Sequence, residues 1–515
     1  MPLSWGDLAP YDRLVNTSIV EPRAYQINII KSVYSGRNSL VVLPTGLGKT
    51  IIAVFAIAKA LSEGKRALIV APTKPLSEQH MQSLVKTLNV DKDSMLLLTG
   101  SISRSKRAEM VANSRVIAAT PQTFSNDMKN GRINLEDYGI VVFDECHRAV
   151  GRYAYTYIAD ECKVRGVQML GLTASPGSDR KKINALIETL GIDNIEIRIS
   201  TDSDVEQYVM KKDTNVVPVD KTPTMNGILN LLKPVIDRHL GSLYSHGLSP
   251  FRNFETMPKG RLLQIGDSIK KIQAANYKFM GIFDYVYVLN LSHAYDLLSS
   301  EGIFPFVNYM DSLESREEKS RVVKNILSNE SVIAATKMAR EALEKGDEHP
   351  KVGATVGLLK RELTGQHVIV FTQYRSTANM LTRILNMNGV AAKEFVGKGK
   401  GLSQAQQQSI LSAFRDREFS VLVATSIGEE GLDVPAVDAV IFYEPIPNEI
   451  RNIQRKGRAG RMKLGTIYIL MTRGTKDETY LFISRIKEKR MRDNIIRIKD
   501  RMDRNPRRSD PQRTL

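Results

Sequence analysis

The stretch Pro44-Thr45-Gly46-Leu47-Gly48-Lys49-Thr50 lies between an apolar run at 39–43 and an apolar, helix-length segment at 51–61. A run too short for a helix, a glycine-bearing turn and a helical pattern together read as strand, loop and helix. The glycines let backbone N–H groups turn inward around phosphate oxygens, and the helix N-terminus adds its positive end. In this pattern Pro44, Thr45, Gly46, Leu47 and Gly48 form a phosphate cradle. Lys49 would reach the β- and γ-phosphates, and the Thr50 hydroxyl would sit on Mg²⁺. The generic pattern asks for glycine where this chain has Leu43, but the strand-loop-helix context is the more telling test.

Outward from this loop, short apolar runs at 67–70, 116–119, 140–143 and 169–172 alternate with helical segments. That rhythm predicts a parallel sheet with helices on both faces. It returns after about residue 350, with strand-like runs at 367–371, 421–424 and 440–443. Between the halves, from about 204 to 345, the alternation gives way to helical periodicity at 226–240, 261–283 and 316–344. The expected architecture is α/β: two parallel-sheet domains, at 1–203 and 346–484, with an all-helical domain inserted at 204–345. The polar stretch 344–350 reads as a linker. From 485 the chain carries twelve Lys/Arg against five Asp/Glu, so a basic tail, helical and then frayed, is expected at 485–515.

Bulk properties narrow the function. The 515 residues allow about three domains. An apolar fraction of 42% and a charged fraction of 25% exclude collagen, a disordered tail protein and a disulfide scaffold. Lys+Arg exceed Asp+Glu by 73 to 56, a net charge of +17 with a pI near 9.6. That balance suggests a polyanionic partner, nucleic acid or an acidic membrane surface. No stretch approaches the ~18 apolar residues of a membrane span, and the N-terminus lacks the apolar core of a signal peptide. Two cysteines, Cys146 and Cys162, offer neither a disulfide framework nor zinc spacing. A reducing, cytoplasmic compartment is expected.

The apolar run at 140–143 ends in Asp144-Glu145-Cys146-His147. Adjacent carboxylates at a strand C-terminus stand where an open α/β sheet binds its ligands. Asp144 would hold Mg²⁺ through water, and Glu145 would orient and deprotonate an attacking water. Taken alone, such a pair reads as a turn or helix cap. Cys146 and His147 have no CxxC or HxxxH companion, so Cys146 is assigned to packing and His147 to coupling between domains. Upstream lie Arg23 and Gln26, and a Gln amide can pair with adenine N6 and N7. Thr173 and Ser175 follow the run at 169–172 and offer hydroxyls that could link nucleotide and nucleic-acid sites.

The ordered set PTGLGKT, APTKP, ATPQT, DECH, TAS, FTQYR, ATSIGEEGLDVP and QRKGRAGR resembles a superfamily 2 helicase. The resemblance implies two RecA-like domains with ATP and Mg²⁺ in the cleft between them. It also implies that Arg458 and Arg461 are fingers on the γ-phosphate and that Gln454 faces the nucleotide. Arg455 stays open between that site and a nucleic-acid patch. Gly431 permits a tight turn and Asp433 could accept from a ribose hydroxyl. Thr73 and Lys74 of APTKP, Thr120 of ATPQT, Thr372 and Gln373 of FTQYR, and Thr425 are similar to family residues on the nucleic-acid backbone. Such contacts carry no base information. Without the family, the Thr-Pro sites would read as loop turns.

Nothing in the two motor halves decides between DNA and RNA. In 251–279, Arg252, Lys270 and Lys271 stand among other basic residues, interleaved with Phe251, Phe254, Tyr277 and Phe279. That mixture suits backbone tracking and base stacking, or equally a helical core with a solvated face. The inserted domain, the DECH sequence and FVGKGKGLSQAQQQ at 395–408 resemble archaeal Hef helicases and their Fanconi anaemia M-type relatives. That family implies branched or single-stranded DNA as partner, with forks and junctions as substrates in replication-fork repair and recombination. A monomer is expected, with no membrane partner, and any sliding-clamp or repair partners stay unassigned. No ERKxxxD nuclease signature is present, so no nuclease activity is expected. Two alternatives remain: an RNA-sensing or Dicer-type helicase on duplex RNA, and an ATP-gated clamp on branched DNA that does not unwind.

Overall fold

The computed structural model describes residues 4–199, 202–208, 212–397, 403–425, 437–447 and 465–504. Seven strands build the first sheet: β1 (Ser39–Val42), β2 (Arg66–Val70), β3 (Met95–Leu98), β4 (Val116–Ala119), β5 (Tyr138–Asp144), β6 (Gln168–Thr173) and β7 (Asn194–Ile197). They run parallel in the order β3-β4-β2-β5-β6-β1-β7. Alternate side chains enter separate cores: Val41, Ala67 and Ile69 on one face, Leu40, Val42, Leu68 and Val70 on the other. Burial on both faces is why the central strands are continuous apolar runs.

The second sheet comprises β8 (Lys212–Val219), β9 (Val368–Phe371), β10 (Ala392–Phe395), β11 (Val421–Ala424), β12 (Ala439–Phe442) and β13 (Gly465–Thr472). Its order is β10-β11-β9-β12-β13-β8, again parallel. β8 departs from expectation, because 212–219 was expected within the helical insert. It lies at the sheet edge beside β13 and contains Pro218, which an edge tolerates because one side of the strand needs no ladder partner.

The insert is a bundle built from Pro223–Ser245, Lys259–Lys270, Ala275–Ser300, Ile303–Glu314, Arg321–Leu327 and Glu330–Glu344, packed around its own apolar core. The segment expected as a linker is a built joint. The Glu348 carboxylate accepts from the backbone N–H groups of Ile303 and Phe304, capping the N-terminus of Ile303–Glu314. Beside it, buried Lys351 donates to the Ser300 carbonyl at 2.9 Å and pairs with buried Asp477 at 2.6 Å.

The C-terminal segment also differs from a frayed tail. Lys476–Arg504 is one helix of 29 residues, so the expected boundary at 484/485 falls inside it. Ile495 is buried in the first sheet's core that holds Leu40, Val42, Leu68 and Val70, with Met491, Ile498 and Met502 packed against that core. Its polar side chains hide this docking from composition, because only one narrow stripe is apolar. Among the described residues, no helix is long and apolar enough to cross a membrane.

Candidate functional site

Every motif of the first half lies at the carboxyl edge of its sheet, where parallel strands leave a row of loops. In strand order the edge carries Thr120 after β4, Thr73 and Lys74 after β2, Asp144–His147 at the end of β5, Thr173–Ser175 at the end of β6 and the 44–50 loop after β1. Nucleotide candidates occupy one half of the row, nucleic-acid candidates the other, and the acidic pair stands between them.

The 44–50 loop holds its shape by local conformation and one buried support. Gly46 and Gly48 adopt φ of +88° and +76°. A Cβ on Gly48 would come within 2.3 Å of Gln26 Nε2, the movable end of that side chain, so it is the positive φ that favours glycine there. Leu47 is buried, and its carbonyl accepts from Tyr25 Oη at 2.8 Å and Gln26 Nε2 at 3.2 Å. Arg23 precedes the helix Ala24–Val33 and donates to the Tyr25 hydroxyl at 3.2 Å. Leu43, in place of the generic glycine, pairs its N–H with the Thr173 carbonyl at 3.1 Å and offers its own carbonyl to Lys49 Nζ at 3.0 Å. Thr50 stands in the first turn of the helix Lys49–Ser62.

The residues suit Mg·ATP. Gln26 Oε1 is buried with no hydrogen-bond partner among the described residues, an acceptor left over for an amino group such as that of adenine. Glu145 Oε2 is likewise buried without a hydrogen bond, although His147 Nδ1 lies 3.3 Å away. Glu145 adopts φ +48°, ψ +46°, the left-handed region that side chains other than glycine seldom enter. Such strain, of order 1–3 kcal/mol, persists where surrounding structure imposes it and gathers at functional positions.

Asp144 is held from two sides. The Tyr155 hydroxyl lies 2.7 Å from its carbonyl oxygen and 3.0 Å from that of Val70, and His80 Nε2 lies 2.8 Å from Oδ2. Burial alone would raise the Asp144 carboxyl. The adjoining His80 ring and the Lys49 ammonium outweigh it and keep the group below the ordinary carboxylate value. Thr50 and Asp144 are the residues that would hold Mg²⁺, Asp144 through water. Cys146 is fully buried, its Sγ 3.0 Å from where a Cβ on Gly171 would stand, and burial pushes its thiol up.

His147 Nδ1 meets Thr173 Oγ1 at 3.2 Å, and Thr173 Oγ1 donates to the Ser175 carbonyl at 3.0 Å. The Ser175 hydroxyl in turn contacts Met491 of the C-terminal helix, and Asn494 donates to the Ser178 carbonyl at 3.0 Å. Thr73 and Thr120 each precede a helix with proline in its first turn, Lys74–Thr87 and Pro121–Lys129. In the second half, Thr372 and Thr425 are buried at the ends of neighbouring β9 and β11, with Gln373 half-buried beside them. Gly431, Asp433, Gln454, Arg455, Arg458 and Arg461 lie outside the described residues.

In the insert, Arg252, Lys270 and Lys271 are exposed, and Lys270 pairs with Asp267 at 3.3 Å. The aromatics divide. Phe251 and Phe254 pack on the bundle core and the Tyr277 hydroxyl donates to the His246 carbonyl, whereas Phe279 stays 60% exposed. Tyr25, His80 and Tyr155 were missed by sequence reasoning. Tyr25 lies between the two residues read upstream, Arg23 and Gln26, but no pattern marked the other two.

A DEAD/DEAH box helicase model matches residues 23–183, and a helicase conserved C-terminal domain model matches 351–463. A protein of Methanocaldococcus jannaschii, provisionally named an ATP-dependent RNA helicase, is 37% identical over 490 residues, covering 93% of this chain and 61% of its own length. The ATP-dependent DNA helicase mph1 of Neurospora crassa is 33% identical over 496 residues, covering 89% of this chain and 41% of its own. The chain therefore spans between two-fifths and two-thirds of these curated relatives. The crystal structure of the Pyrococcus furiosus Hef helicase domain superposes with a TM-score of 0.71 at 40% identity, covering 92% of this chain and 100% of that one. With a solved relative matched along its whole length at that identity, the chain belongs to the Hef-type family of DEAD/DEAH-box helicases.

Proposed function

We propose that this chain is a Mg·ATP-dependent DNA helicase or translocase that acts on branched DNA, forks and junctions, in replication-fork repair and recombination. The observation that carries it is the row of loops at the first sheet's carboxyl edge. There the 44–50 cradle, Glu145 and the Thr73 and Thr120 loops share one rigid edge, with Asp144 between the two groups. Lys49 would neutralise the β- and γ-phosphates, and Glu145 would take the proton of the attacking water. Bound Mg²⁺ would neutralise charge on the phosphates. Arg458 and Arg461 would bring positive charge from the second half, with Gln454, Gly431 and Asp433 beside the nucleotide. Closure of the two halves on ATP and reopening after hydrolysis would step the chain along one strand. His147, Thr173 and Ser175 would couple the two events, and Lys74, Thr372, Gln373 and Thr425 would hold the strand backbone.

The insert's exposed Arg252, Lys270 and Lys271 support a branch contact through phosphate. A monomer at the nucleoid, with any sliding-clamp or repair partners left unassigned, completes the proposal. A duplex-RNA substrate is the second reading, favoured by the RNA helicase name of the Methanocaldococcus relative. A clamp that switches affinity without unwinding is separated by strand displacement. Steady-state ATP hydrolysis at fixed salt, with forked DNA, single-stranded DNA, linear duplex DNA and duplex RNA compared, tests the proposal. Glu145→Gln protein serves as the blank. Strongest stimulation by the fork supports it, and stimulation chiefly by duplex RNA overturns it.

A further inference from the structure

His80 lies outside every motif, yet its Nε2 makes a side-chain hydrogen bond to Asp144 at 2.8 Å, with both groups buried. It belongs to the helix Lys74–Thr87, whose buried stripe is Ser77, His80, Leu84 and Thr87. The spacing of three, four and three keeps one face against the sheet. The same helix begins at Thr73 and Lys74, the candidate contacts to the nucleic-acid backbone. From Thr73 to His80 is seven residues, ~10 Å along the axis. Over two turns a helix moves as one body, so a displacement at its start reaches His80.

The backbone at Asp144 has its own anchor, the Tyr155 hydroxyl at its carbonyl. What Tyr155 leaves free is the rotation of the carboxylate, and His80 fixes that. An ionised carboxylate only accepts, so Nε2 carries the hydrogen of this bond. His80 engages Oδ2, and the backbone N–H of Glu145 also bonds the carboxylate; Oδ1 is the oxygen that His80 does not take. Asp144 would hold the metal through water, so a donor behind it orients the carboxylate that receives that water, and loss of such outer-shell partners typically costs 10–100-fold in metal affinity or activity.

We propose that His80 is a positioning residue that sets the Asp144 carboxylate, and that it links strand engagement at Thr73–Lys74 to the nucleotide site. The link rests on the nucleic-acid role proposed above for those two residues, whereas the placing of Asp144 does not.

Three variants and two readouts test this. His80→Phe keeps a ring of similar volume and removes the donor. His80→Gln puts an amide N–H near the position of Nε2. His80→Ala removes the donor without risk of a clash, and carries the same expectation as His80→Phe if that variant does not fold. The first readout is Mn²⁺ affinity in the presence of ADP, by electron paramagnetic resonance without turnover. His80→Phe is expected to weaken it 10–100-fold, with His80→Gln close to the parent. The second is the ratio of ATP turnover with and without saturating DNA, at saturating Mg²⁺. That ratio is expected to fall in His80→Phe, while its DNA affinity without nucleotide stays within about twofold.

Unchanged Mn²⁺ affinity in a folded donor-less variant overturns the positioning role. A weakened Mn²⁺ affinity with an unchanged stimulation ratio overturns the link to the strand. If the parent itself responds to no nucleic acid, the proposed function fails, and the Mn²⁺ measurement still decides what His80 does.

Discussion

Acidification should loosen the joint between the helical insert and the second sheet, through His349. This ring is 1% exposed. Its Nδ1 accepts from the Lys351 N–H at 3.1 Å, so the hydrogen sits on Nε2, which lies 3.2 Å from the Ser299 carbonyl and 3.3 Å from Thr472 Oγ1. Both nitrogens are satisfied in the neutral ring, and a second proton would have to point at an N–H. Burial first, then the Lys351 ammonium and more weakly Lys221, push the ring's pKa down to about 3, against the opposing effects of the Ser299 carbonyl and Asp477. The folded chain therefore refuses a proton that the unfolded chain takes up below about pH 6.5. Stability is fully present above that value and is lost as the pH falls from it toward about 3. At about 1.4 kcal/mol for each pH unit, the loss from His349 between pH 6.5 and pH 5 is about 2 kcal/mol. The assay is urea denaturation followed by circular dichroism at pH 7.5 and pH 5, on the parent and on His349→Asn. Asparagine keeps an acceptor at the N-terminus of the helix Pro350–Arg361 and does not titrate. The variant should lose about 2 kcal/mol less than the parent over this interval. An equal loss in both proteins would refute the assignment of this proton to His349.

Glu145→Gln should bind ATP and DNA and hydrolyse by orders of magnitude more slowly, measured by nucleotide binding beside single-turnover hydrolysis, and rapid turnover would remove Glu145 as the base. Arg458→Ala should lower kcat by a factor of 10³ or more with little change in ATP affinity, since a finger acts on charge that develops in the transition state; a fall in affinity alone would contradict that role. Neutralising Lys270 and Lys271 together should weaken fork binding and reduce the slope of log affinity against log salt by about 2. An unchanged slope would return both lysines to the solvated face of the bundle.

What the sequence determined by itself is the chemistry carried by consecutive residues. The 44–50 loop was legible because glycine conformations, a lysine and a hydroxyl at fixed offsets define it before any tertiary contact forms. Asp144 and Glu145 were legible because they end an apolar run, and the central strands because burial on both faces leaves no polar positions. Other strands went unread: the edge strands β7, NIEI, β8, KDTNVVPV, and β10, AKEF, resemble loops, while the apolar edge strand β3, MLLL, and the inner strand β13, GTIYILMT, were also missed. The tertiary structure alone brought His80 to Asp144 across 64 residues, set Tyr155 against the Asp144 carbonyl and laid the C-terminal helix on the first sheet. It also divided the insert's aromatics, sending Phe251 and Phe254 to the bundle core and Phe279 to the surface. Periodicity says that one face of a helix is buried. It does not say against what, because that depends on how separate faces pack together, and packing is a property of the whole chain.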